Sequence, residues 1–285
     1  MIDLHTHTIA SDGTYSPEEL MAYALTKNLK AIAITDHDTI NGLQAAHTYL
    51  KQHHIPSTTL ELINGIELSA NIPKYDFDIH ILGLFLDPDN PVFKEGLVHI
   101  IQDRQRRNNI MLDLIQKAGY DLTWKEITDY SGDSVITRAH FAKALLKKGY
   151  VKTMNEAFDR YLGDGKPCHV QRNYPSYTEC IDMIHQAGGI AVVAHPMLYR
   201  FPHSSYPSFI SNLKEAGLDG IESIYPKHSA PDTRMLLNLC DQHHLLPTGG
   251  SDFHGSNKKE IDIGTGFGET QVPYELLRSL KKSIQ

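Results

Sequence analysis

A chain of 285 residues, 41% hydrophobic and 21% charged, is long enough for one large α/β domain or for such a domain carrying an insertion. No run approaches the roughly 18–20 continuous apolar residues of a membrane span, and the first apolar segment lacks the flanks of a secretory leader, so the chain reads as cytoplasmic with no membrane partner. A formal charge of −7 excludes a generic nucleic-acid coat but not a local basic pocket, and Cys168, Cys180 and Cys240 are too widely spaced to suggest a disulfide framework or zinc knuckle.

In chain order, the first β-type run, Ile2 to Leu4, leads into His5-Thr6-His7, whose alternation puts both imidazoles on one face of an extended chain. Asp12 and Gly13 fall in the following loop. Ser16, Pro17 and Glu19 then form the start signal of a helix, N-cap, first-turn proline and capping box, and Leu20 and Ala24 supply its buried face. The second run, Ala31 to Thr35, ends in Asp36-His37-Asp38. The third, Glu61 to Ile66, ends in Glu67, and the fourth, Ile79 to Phe85, carries His80.

Between Pro88 and Pro167 the β-type runs stop. Helical segments are expected over Val92 to Gly119, Thr137 to Lys148 and Met154 to Leu162, bounded by the turn-rich sequences 87–91 and 163–167. Three further runs follow: Ile190 to Ala194 before His195-Pro196, Gly220 to Ile224, and Leu246 to Gly249 before Ser251-Asp252-Phe253-His254. The pattern predicts a mainly parallel barrel, residues 1–90 and 168–285, with a small helical subdomain inserted at 91–167.

The C-terminal strand ends of a parallel barrel open on one face, so His5, His7, Asp12, His37, Glu67, His80, His195, Asp252 and His254 are expected to converge there. Burying so many ionisable groups together without cations is costly, and metal binding offsets that cost. Imidazole and carboxylate without thiolate suit Mn²⁺, Zn²⁺ or Fe²⁺. Nine donors exceed the needs of one ion, so two or three divalent cations are expected, with Glu67 a candidate bridge. Such a cluster activates water and clamps the oxygens of a phosphoryl group.

The set His5-x-His7, Asp12-Gly13, Thr35-Asp36-His37, Gly65-x-Glu67, His80, Ala194-His195-Pro196 and Ser251-Asp252-x-His254 resembles the PHP (polymerase and histidinol phosphatase) phosphoesterases. That resemblance implies a distorted (β/α)7 barrel and a trinuclear centre; among the three candidate ions manganese is the first expectation. It implies one metal on His5, His7, Glu67 and Asp252, a second on Asp12, His37 and His254, and a third on Glu67, His80 and His195. Asp12, His37 and His195 are the candidate catalytic members.

Within the family, Arg104-Gln105-Arg106-Arg107-Asn108, Thr137-Arg138-Ala139-His140-Phe141 and Gly165-Lys166-Pro167 resemble the branch of 3′,5′-nucleoside bisphosphate phosphatases and the 5′-to-3′ exoribonuclease ribonuclease AM. The residues themselves point the same way. Arg104, Arg107 and Asn108 share a helical face, and Arg138 and His140 open the next helix, where anions are favoured. With Lys166 and His228 they are the candidate substrate contacts; against this, Arg104, Arg106 and Arg107 also read as a solvated face paired with acids such as Asp103. The expected substrate is a small nucleotide or short 5′-phosphorylated RNA. A histidinol-phosphate or other small-metabolite phosphatase, and a non-enzymatic metal-stabilised or proofreading-type module, are the alternatives.

Overall fold

Seven strands lie in chain order across one curled sheet: β1 (Ile2–Thr6), β2 (Ala31–Ile34), β3 (Glu61–Asn71), β4 (Asp78–Leu84), β5 (Ile190–Val193), β6 (Gly220–Ile224) and β7 (Leu246–Gly249). The computed structural model describes residues 1–72, 78–129, 135–199 and 201–284. Parallel pairing joins β1 to β2, β2 to β3, β5 to β6 and β6 to β7. The expected mainly parallel sheet is interrupted at β4, which runs antiparallel to both β3 and β5. The physical reason is the short connection after Asn71: a parallel return needs a crossover of about a dozen residues or more, and an antiparallel return does not.

The open side is bridged beyond β7. Asp252 donates its backbone N–H to the His5 carbonyl at 2.9 Å, and His7 donates to the Phe253 carbonyl at 2.9 Å. Gly250 permits this approach, because a β-carbon there would stand 2.4 Å from His5 Cβ.

Strand alternation separates two apolar layers. Ile2, Leu4, Ala31, Ala33, Leu82 and Val192 share a core with Leu277 and Leu280, whereas Ile32 and Ile34 pack with Leu20, Met21 and Leu43. The packing helices are α1 (Pro17–Thr26), α2 (Asn41–Gln52), and, later in the chain, α7 (Tyr177–Gln186), α8 (Tyr206–Glu215), α9 (Ala230–His243) and α10 (Tyr274–Ser283). Ser16 and Glu19 form the expected capping box at α1. In β1 the register shifts by one residue between Asp3 and Thr6, and a similar shift lies between Glu222 and Ile224 in β6. Such bulges re-aim side chains at a sheet rim.

Between β4 and β5 come α3 (Pro91–Lys117), α4 (Trp124–Thr128), α5 (Arg138–Lys147) and α6 (Met154–Ala157), the last running into a π-helical turn at Phe158–Leu162. The α3 helix serves two cores. Phe93, Leu97 and Ile100 pack with Cys180, Ile181 and Ile184 of α7, while Met111, Leu112 and Ile115 join Phe141, Leu145 and Leu162 in a separate cluster. No helix among the described residues is long and apolar enough to cross a membrane.

Candidate metal centre and anion cleft

The nine histidines and acids meet at one end of the sheet. Pairing of β2 with β3 continues past Ile34, so His37 stands beside Glu67, with Glu67 N–H donating to Asp36 and Asp38 N–H donating back to Glu67. The reversal of β4 matters here, because it brings the strand's beginning to the end where its neighbours finish. His80, near that beginning, lies opposite Ser69 and accepts on its carbonyl the N–H of Ala194, next to His195. Asp38, His195 and Asp252 have positive φ (55°, 30° and 55°), a region that side chains with a β-carbon rarely adopt and that recurs at functional sites.

Glu67 is the hub. Its Oε2 is 3.3, 3.1 and 3.1 Å from His5 Nε2, His7 Nε2 and His37 Nδ1, while Oε1 is 2.7 Å from His80 Nδ1 and 3.0 Å from His195 Nε2. Asp252 Oδ1 faces His5, His7 and His254 at 3.6, 3.4 and 3.3 Å; its other oxygen receives Tyr225 OH and Lys258 Nζ at 2.8 and 2.6 Å. Asp12 Oδ1 is 3.3 Å from His254 Nε2.

Donor atoms of four overlapping sets lie within 4.8 Å of one another: His7-Asp12-His37-His254, His5-Glu67-His195, His5-His7-Asp252 and His37-Glu67-His80. Two donors about 2.1 Å from one ion stand roughly 3.0–3.4 Å apart, so these spacings fit donors sharing cations. The chemistry of the orphaned atoms fits too. Glu67 Oε2 and His37 Nδ1 are buried without a hydrogen-bond partner.

Electrostatics follow from this crowding. Burial works against the charge on Glu67, yet His37, His80 and His5 hold its carboxyl well below the usual range. Burial likewise opposes ionisation of Asp12, which His37 and His254 hold low. Desolvation pushes His37 down to about 3, whereas at His80 desolvation is outweighed by Glu67 and Asp78, which raise it to about 10.

A cleft beside the cluster has Asp12, His37, Asp78 and His80 on its wall together with Arg104, Arg107, Arg138, Arg172, Tyr174 and Phe158. The arginine run of α3 divides as its helical spacing dictates. Arg104 and Arg107 turn inward and are buried, while Arg106 is exposed and pairs with Asp103 at 2.8 Å. Buried Asp38 pairs with Arg104 and, at 3.1 Å, with Arg172. Arg107 has no ion pair among the described residues and its Nε has no hydrogen-bond partner. Burial and the neighbouring Arg104 lower it to about 9, so it is still charged at neutral pH.

Other expected contacts sit elsewhere. Asn108 is buried on the arginine face but donates to the Ile136 carbonyl at 3.1 Å and lines a different hollow. His140 Nδ1 accepts the Thr137 N–H as a helix cap. Lys166 is exposed on its turn, and His228 pairs through Nδ1 with the Ser223 carbonyl at 3.2 Å, behind Tyr225. None of these four lines the cleft.

Sequence reasoning missed several supporting residues. Asp3 accepts from Ser251 N–H, Ser251 OH and Gly264 N–H, fixing the segment after β7. Asp36 accepts from Thr8 N–H, Thr8 OH and Ser11 OH, fixing the loop before Asp12. Glu222 pairs with His5. A carboxylate inside a short apolar run, as at Asp3 and Glu222, was the available signal, since a buried charge requires partners. Arg172 and Tyr174 lie in an irregular segment that offered none.

The sequence model of the PHP domain matches residues 3–192. The chain is 33% identical over 252 residues to the 5′-3′ exoribonuclease Rnm of Salmonella typhimurium, covering 88% of this chain and 84% of that one. It is also 33% identical over 264 residues to the 3′,5′-nucleoside bisphosphate phosphatase of Chromobacterium violaceum, covering 92% and 90%. A solved structure from Bifidobacterium adolescentis, assigned as a metal-dependent phosphoesterase, superposes with a TM-score of 0.84 at 28% identity over 98% of this chain and 94% of that one. With two thirds of its length matched by the family model, and relatives 33% identical over most of both chains, the chain belongs to the PHP domain family.

Proposed function

We propose that this protein is a metal-dependent phosphoesterase of nucleotides, hydrolysing 3′,5′-nucleoside bisphosphates, 5′-phosphorylated RNA from its 5′ end, or both. The observation that carries this reading is the placing of buried Arg107, without an ion-pair partner among the described residues, in one cleft with Arg104, Arg138 and Arg172 and with members of the histidine and carboxylate cluster. A substrate with two phosphates separated by a ribose meets both demands: one phosphate at the cluster, the other at the arginines, whose planar forks suit its oxygens. The relatives named above supply the nucleotide class. A small-metabolite monophosphate leaves the arginine wall without a role.

In this reading His5, His7, Glu67 and Asp252 hold one cation, Asp12, His37 and His254 a second, and Glu67, His80 and His195 a third. Manganese is our first choice, with zinc or iron as alternatives. Bound divalent cations supply Lewis acidity toward the phosphoryl oxygens and a nucleophilic water at neutral pH. The chain's own residues do the rest: Arg107, Arg138 and Arg172 orient the remote phosphate, Asp38 holds Arg104 and Arg172 in place, and the surrounding buried side chains limit solvent access. We also propose that residues 91–167 form a substrate-binding subdomain, anchored to the barrel by the first half of α3.

The test is a product assay with Mn²⁺, comparing a 3′,5′-bisphosphate nucleotide with a 5′-phosphorylated oligoribonucleotide. Inorganic phosphate from the first, or a mononucleotide ladder from the second, is the expected result. Turnover of simple phosphomonoesters at equal or better efficiency than both would refute the nucleotide assignment.

A further inference from the structure

Glu222 occupies the middle of β6, is fully buried, and belongs to none of the converging donor sets. Its two carboxylate oxygens serve two different segments. Oε1 lies 2.9 Å from His5 Nδ1, and Oε2 accepts the backbone N–H of His195 at 2.7 Å.

The first contact decides which nitrogen of His5 carries the proton. An ionised carboxylate only accepts, so His5 donates Nδ1–H to Glu222, which leaves Nε2 as the nitrogen available to a cation. Nε2 is the atom that faces the cluster, 3.3 Å from Glu67 Oε2 and 3.6 Å from Asp252 Oδ1. The second contact decides a backbone position. His195 has φ of +30°, and a hydrogen bond from its N–H to a charged acceptor holds it in that conformation. From there its Nε2 reaches Glu67 Oε1 at 3.0 Å.

We propose that Glu222 is a positioning residue of the metal centre: one buried carboxylate that sets the tautomer of His5 and the backbone of His195, so that donors on opposite oxygens of Glu67 are preorganised together. The inference rests on the metal-centre reading above. Groups of this kind behind a ligating histidine typically contribute tenfold to a hundredfold in metal affinity.

Glu222→Gln is the discriminating variant, because the amide has one acceptor oxygen where the carboxylate has two: it must either lose one contact or turn its NH2 toward His5 Nδ1, which drives the His5 proton onto Nε2. Its metal-free form is expected to keep the wild-type circular dichroism spectrum, while Mn²⁺ affinity by chelator competition falls at least tenfold; Glu222→Asp, which keeps two acceptors, recovers part of the loss. Independently of any variant, long-range ¹H–¹⁵N spectra of the Zn²⁺-loaded wild-type protein are expected to show the His5 proton on Nδ1. Affinity of Glu222→Gln within twofold of wild type, or a proton on His5 Nε2, overturns the inference while leaving the metal centre intact. A wild-type chain that binds neither Mn²⁺ nor Zn²⁺ instead overturns the metal-centre reading itself.

Discussion

Arg106 and Arg107 are neighbours in sequence and opposites in environment, and the contrast gives the sharpest test of the anion cleft. Arg107 is buried on the cleft wall with no carboxylate paired to it among the described residues, whereas Arg106 is exposed and paired with Asp103. Arg107→Met is expected to lower kcat/KM for a 3′,5′-bisphosphate at least tenfold while changing monophosphate hydrolysis little; Arg106→Met changes neither, since exposed ion pairs contribute little. Steady-state kinetics on the two substrates reads this directly. Asp38 carries a different kind of load. Burial opposes its charge, but Arg104 and Arg172 hold its carboxyl well below the ordinary range. Asp38→Asn leaves buried Arg104 without an ion-pair partner among the described residues and Arg172 with only the Asp103 carboxylate, 3.7 Å away, and is expected to cost about 3–5 kcal/mol. For a depressed carboxylate the contribution is present above the free aspartate value of about 3.9 and drains away as pH falls through the lowered one. Urea midpoints of wild type and variant are therefore expected to differ most near neutral pH and to converge in acid; a gap that stayed constant down to the acid limit would contradict the pairing.

At the scale of elements, the site depends on two departures from a regular parallel barrel. Antiparallel β4 presents His80 at the rim by its beginning rather than its end. The segment after β7 bonds back to β1, carrying Asp252 and His254 against His5 and His7. That second junction is tight enough to test with one methyl group. In Gly250→Ala the added carbon meets His5 Cβ at 2.4 Å and His5 N at 2.5 Å, both core positions that cannot swing aside. The backbone must move, and His5 with it. The expected outcome is a lowered melting temperature together with fewer bound cations per chain by elemental analysis; a variant that melts lower yet loads normally would show that the junction and the centre are separable.

At the scale of the molecule, the centre gathers buried acids and imidazoles from most of the sheet, so cations bound there, as proposed above, would cross-link distant segments. Chelation is expected to lower the melting temperature, and Mn²⁺ at a hundred times its Kd to restore about 2.7 kcal/mol by mass action. Calorimetric scans with and without chelator measure this, and identical scans would argue against a multi-metal site. The helical segment between β4 and β5 is tied to the barrel through α3, whose first half packs on α7 and whose second half organises a separate core. The α3 helix thereby carries Arg104 and Arg107 between the two cores.

Much of the fold and of the donor cluster is legible in the sequence. Strand number, the α1 capping box and the positions of the nine donors follow from local patterns: apolar runs, a serine three residues before a glutamate, and polar groups with ligand chemistry at run boundaries. The split of the α3 arginines was half legible, because 3.6-residue periodicity puts Arg104 and Arg107 on one face and Arg106 on another without saying which face is buried. Pairing partners were not legible at all. Asp38 with Arg172, Glu222 with His5 and Asp3 with Ser251 join residues 134, 217 and 248 positions apart, and no local pattern encodes such contacts. The direction of β4 and the two bulged registers belong to the same class, because they depend on how a short connection and a closing sheet are accommodated in space. Chemistry was therefore readable from residue types and spacing, while the orientation of each donor came from long-range hydrogen bonds that exist only once the chain is folded.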